Sequence, residues 1–64
     1  QQPEMSKLAA RVVGALDREI QRVRFLADTA TDFVKESQYL SEVSTLAAMR
    51  EELKAEIDAF GVAP

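Results

Sequence analysis

Three groups of side chains in this chain have the types and spacing to do chemistry, and each lacks something that chemistry needs. Glu51, Glu52, Glu56 and Asp58 place four carboxylates close together in sequence. Acid–base catalysis requires paired carboxylates in a shielded cleft, but these four fall on the solvent side of an amphipathic helical pattern. A carboxylate-bridged di-metal centre in a helical bundle adds Glu-x-x-His pairs, and the chain has no histidine. It has no cysteine either, which excludes thiolate nucleophiles, thiolate metal sites and disulfides. No Gly-rich phosphate loop, Ca²⁺-loop spacing or Ser–His pair occurs. The single tyrosine, Tyr39, reads as a ring packed over the end of a hairpin. The expectation is no enzyme, cofactor, metal or small-molecule substrate.

The second group is cationic. Lys7, Arg11, Arg18 and Arg22 recur at helical spacing and form one outer strip. Phosphate contacts need little beyond positioned positive charge, so RNA, DNA or an acidic protein is the partner this strip would suit. Against it stand a net charge of −3 and the absence of stacking aromatics on the strip. The third group is Arg50 with Asp28, an arginine on an apolar stripe whose head group would reach a carboxylate at its rim. Glu19 borders the apolar face of the same first helix as a flank residue.

What positions these groups is an apolar stripe. Val13, Leu16, Ile20, Val23, Ala27, Ala30 and Val34 follow one another at alternating steps of three and four, with Val12, Leu26 and Phe33 beside them. Such spacing puts them on one side of an α-helix. Pro3 and Glu4 suit its first turn, and Gly14 lies off the stripe, where a glycine is tolerated. After Val34 the phase slips, because continuing it would bury Ser37, Ser41 and Ser44. A second stripe runs Val43, Leu46, Arg50, Leu53, Ile57, Phe60, flanked by Ala47 and Met49, and Gly61 reads as its C-cap with Pro64 beyond.

The spacing therefore predicts helix one over about 4–37, a turn at about 37–41 and helix two over about 42–60, with Ser41 or Ser44 as N-cap. A turn at 28–32, capped by Thr31 or Asp32, ranks second, and one continuous helix with a stutter third. Helix one would be about 50 Å long and helix two about 28 Å at ~1.5 Å per residue. The shorter helix would cover Val23, Ala27, Ala30 and Val34 and leave Met5, Leu8, Val12, Val13 and Leu16 without a partner. Each such side chain gains roughly 1.5–3 kcal/mol on burial, so five together drive association.

Composition agrees with a small helical module. The 64 residues are 47% hydrophobic and 30% charged, and no apolar run approaches the ~20 residues of a membrane span. A single domain of this size builds only a small core and commonly gains burial by oligomerising. Lys7, Arg11, Arg18, Arg22 and Arg24 outnumber the acids of residues 1–26, whereas acids dominate residues 27–64, so the two parts attract one another when antiparallel. The ends, Gln1-Gln2-Pro3 and Gly61-Val62-Ala63-Pro64, read as linkers to a longer protein. Together these features predict an all-α, antiparallel two-helix hairpin over residues 1–64 that dimerises into a four-helix bundle, with a homodimer mate or a host-protein domain as partner. Its expected function is oligomerisation or protein–protein interaction through an apolar helix face. The alternative is a small regulator that uses the basic strip.

Overall fold

Two helices of equal length, α1 (Pro3–Thr29) and α2 (Phe33–Ala59), pack side by side in the computed structural model, which describes residues 3–61. The expected linker residues Gln1, Gln2 and Val62–Pro64 lie outside the described residues. The chain is all-helical and folds back once. Its Cα envelope measures 48 × 16 × 9 Å, a single layer one helix thick.

The turn is Ala30–Asp32, not 37–41, and the second-ranked reading is the one realised. Asp32 decides it. Its backbone is extended (φ −115°, ψ 125°), and its carboxylate accepts a 3.0 Å hydrogen bond from the Val34 amide, satisfying a donor that the first helical turn leaves open. Its carbonyl accepts the first helical bond from Glu36 N at 2.9 Å. On the other side, the Thr29 hydroxyl donates to the carbonyl of Phe25 at 2.9 Å and closes the end of α1 without a glycine. Ser41 and Ser44 are exposed positions inside α2 and cap nothing. At the far end Phe60 is the C-cap, and Gly61 follows at φ +72°, the left-handed conformation in which glycine carries no Cβ penalty.

The seam between the helices follows heptad-like steps on both sides. On α1 it is Ser6, Ala9, Val13, Leu16, Ile20, Val23 and Ala27, continuing to Ala30 in the turn; each is buried or half-buried. On α2 it is Tyr39, Val43, Leu46, Arg50, Leu53 and Ile57. The buried centre is Ile20, Val23 and Val43, with Tyr39, Leu46 and Ala47 packed against it and Ala27 buried nearer the turn. Tyr39 thus belongs to the core side of α2 rather than to a turn. Val34, expected in the core, is 59% exposed, because the turn at Ala30–Asp32 breaks the phase that seemed to carry the first stripe through it.

With the turn at residue 31, α2 is as long as α1 and reaches the level of Met5. The overhang expected for residues 5–16 does not exist. Arg50 moves with the register. It meets Asp17, not Asp28: its guanidinium donates through Nε to the Asp17 carboxylate and through Nη1 to Glu51 at 3.1 Å. This half-buried arginine on a mostly apolar seam ties α2 to α1 through Asp17.

Candidate association surface

Towards the open end of the hairpin the seam residues of α1 become small: Ser6 and Ala9, with Ala10 and Gly14 beside them. Small side chains cannot fill the space opposite Leu53 and Ile57, so a furrow opens on each flank of the seam. The two furrows differ in chemistry.

The first, about 350 Å³, is lined by Ala9, Ala10, Val13, Gly14, Ile57 and four charged groups, Asp17, Arg50, Lys54 and Asp58. Here the Asp17–Arg50–Glu51 ion pairs occupy the rim. The hydrogen bond to Asp17 holds Arg50 firmly cationic, raising its pKa above the ordinary arginine value. A Cβ on Gly14 would lie 3.5 Å from Nη1 of Arg18, an ordinary contact, so this glycine marks no close backbone approach. The furrow offers ion pairing between its two carboxylates and the Arg50 and Lys54 cations.

The second furrow, about 200 Å³, is lined by Met5, Leu8, Ala9, Val12, Leu53, Ile57 and Phe60 and by no polar residue. Three of the five residues expected to face a partner line it. Met5, Leu8 and Val12 are 45%, 53% and 41% exposed although α2 lies alongside them, because they stand on the flank of α1 and not on its seam. Val13 and Leu16 are half-buried seam residues, turned towards α2 within the chain. Phe60 is 82% exposed at the mouth of the furrow, not a core residue. Half-exposed Met49 precedes Leu53 by one helical turn and extends the apolar flank. Of the second apolar stripe, Leu53 and Ile57 lie on the seam and also line this furrow, whereas Phe60 is exposed and Met49, expected beside the stripe, stands on the flank. The signal available was that Met49 sits one position before the seam residue Arg50, as Met5 and Val12 sit before Ser6 and Val13.

Each helix also carries a row of exposed charge, with the Arg18 guanidinium over Gly14 on the side of the charged furrow. Along α1, Leu8, Arg11, Ala15, Arg18 and Arg22 follow at steps of three and four; along α2, Glu42, Thr45, Met49, Glu52 and Glu56 do the same. All four residues of the expected cationic strip, Lys7, Arg11, Arg18 and Arg22, are exposed on α1. Arg22 is already engaged. It donates to both carboxylate oxygens of Glu19, at 3.0 and 2.6 Å, and this hydrogen bond pulls the Glu19 pKa below the ordinary glutamate range. Lys7, Arg11 and Arg18 make no ion pair among the described residues.

A separate set of exposed apolar side chains, Phe25, Phe33 and Leu40, lies towards the turn. No group of three or more carboxylates is positioned to hold a metal among the described residues, and no helix is long and apolar enough to cross a membrane. Comparison with protein-family models, curated proteins and solved structures finds no match for this chain.

Proposed function

We propose that the hairpin is a non-enzymatic association module, in which a second copy of the chain covers the apolar flank at the open end and completes a four-helix bundle. The observation that carries this reading is the furrow lined only by Met5, Leu8, Ala9, Val12, Leu53, Ile57 and Phe60. A contiguous apolar surface of this kind on a soluble fold marks a contact site. The layer is only 9 Å thick at the Cα level, so each helix has one covered side and three open ones. The chain exposes 4969 Å² of surface, whereas a compact protein of its mass exposes about 4,100 Å². The excess is similar to the roughly 800 Å² that each partner contributes to a standard interface.

Within a longer polypeptide, the module's work would be to bring two attached domains together. The competing use of Lys7, Arg11 and Arg18 for RNA, DNA or an acidic protein retains three cations of its four, since Glu19 neutralises Arg22.

Sedimentation equilibrium of the wild-type chain beside Leu8→Asp tests the reading. Wild type should sediment at twice the chain mass and Leu8→Asp at the single mass, with little response to moderate salt. A wild type that stays monomeric across the micromolar range refutes it. Retention of RNA at low salt, lost steeply as salt rises, would transfer the function to the basic strip.

A further inference from the structure

Resting on that association, we infer that the open half of the hairpin is a gate. Its two arms, residues 3–13 of α1 and 53–59 of α2, part together in the lone chain and close when a second copy covers the apolar furrow.

Burial divides the chain at a definite level. Ile20, Val23 and Val43 are buried with Tyr39, Leu46 and Ala47 packed against them, and Ala27 is buried nearer the turn. At the border the Arg50 guanidinium donates to Asp17, the one polar link between the helices among the described residues. Beyond it the arms meet through Ser6, Ala9 and Val13 on one side and Leu53 and Ile57 on the other, all of them only half-buried. Local opening costs what the opened segment had buried, so the arms part far more readily than the rest unfolds. Each arm's apolar support within the chain is the other arm, which makes their parting a joint event.

Two features weaken the arms as helices. Gly14 stands inside α1 one turn beyond Asp17, where the arm joins the buried half. Glycine disfavours a helix interior, and no close approach calls for one here, since a Cβ would meet only the Arg18 guanidinium at 3.5 Å. In α2 the last turn carries Glu56 and Asp58 and no basic residue, which sets acids at the negative end of the helix dipole.

The furrow needs both arms. Met5, Leu8 and Val12 come from one, Leu53 and Ile57 from the other, with Phe60 just after it. A second copy seated there binds the closed form alone, so association draws the gate shut by mass action. Residues 3 and 61 are held side by side in the associated form and are free to separate in the lone one.

Amide hydrogen exchange of the full chain tests the gate, read residue by residue below and above the dissociation constant that sedimentation gives. In the dilute chain the amides of Leu8, Val12, Leu53 and Ile57 should exchange about tenfold or more faster than those of Val23 and Val43. Association should narrow that gap. Equal protection along the dilute chain, or a gap unchanged on association, overturns the gate and leaves the dimer standing. A wild type that sediments as a single chain at every concentration removes the dimer and the gating with it.

Gly14→Ala provides the second measurement. In the dilute chain it should slow exchange in the arms about fivefold, at Leu53 and Ile57 of α2 as much as at Leu8 and Val12 of α1. A gain confined to α1 would mean two helix ends fraying independently, and the joint opening would be lost.

Discussion

The two halves of the hairpin solve the same packing problem with different success. In the half nearer the turn, Ile20, Val23, Ala27 and Val43 are buried, Val23 completely. In the open half none of the described residues is, and both furrows lie there. Helix type does not explain the difference, since the same two helices run through both halves. Seam chemistry does. Near the turn, branched aliphatics on both helices interlock with Tyr39 and Leu46. Towards the open end, Ser6 and Ala9 oppose Ile57, and Arg50 takes a seam position, so large side chains on the flanks of α1 find nothing to rest on. The closed half holds the hairpin; the open half leaves Met5, Leu8 and Val12 exposed.

The largest expected effect lies at the centre of the closed half. Val23→Asp buries a carboxylate with no partner, costs several kcal/mol and should abolish the helical circular-dichroism signal at every concentration. A folded Val23→Asp would mean that the closed half is not where the fold is held. Truncations then compare the halves directly. Ile20→Ala should cost about 2–4 kcal/mol whatever the protein concentration. Leu8→Ala should lower the melting temperature only where wild type is associated. Equal, concentration-independent losses at the two sites would erase the distinction between the halves.

Smaller effects test the ends of the helices and the lining of the charged furrow. Asp32→Ala removes the N-cap of α2 and should cost about 1 kcal/mol, while Ser41→Ala should change the denaturation midpoint hardly at all. The reverse ranking would return the turn to 37–41. Gly14→Ala meets only the end of the Arg18 side chain and should stabilise α1 by up to about 1 kcal/mol.

The smallest effect is electrostatic. The folded pKa of Glu19 is depressed by Arg22, so its contribution is present above the unfolded glutamate pKa and fades as pH falls through the lower folded value. A pH titration of the Glu19 side-chain carboxyl by NMR should show that depressed midpoint, and Arg22→Gln should restore an ordinary one.

Much of the architecture was legible because helical periodicity is a local property. The α1 seam from Val13 to Ala27 and the α2 seam from Val43 to Ile57 stand where the spacing put them, and α2 ends one residue before the expected cap, with Phe60 as C-cap and Gly61 following it. The turn was misplaced for an identifiable reason. Ala30 and Val34 happen to keep the first stripe's step, and alanine near a turn is weak evidence of a continuing helix. The competing signals were Asp32, a strong N-cap, and Tyr39, which extends the second stripe back by one step. Giving them more weight would have found the turn. Part of the candidate surface is exposed, but for a reason other than the one expected. Met5, Leu8 and Val12 are exposed as expected, but because of their place on the flank of a full-length pair rather than an overhang.

By itself, then, the sequence determined that this chain makes amphipathic helices, that it has no histidine or cysteine chemistry, and that its apolar residues exceed what one helix pair can cover. These follow from composition and from spacing along a single element. Only the tertiary structure decided which helix faces which, that Arg50 answers Asp17, and that the uncovered surface is a furrow built from both helices. Such facts depend on register, and register is set where two helices meet, by a three-residue turn and by the side chains that do or do not fill the space between them.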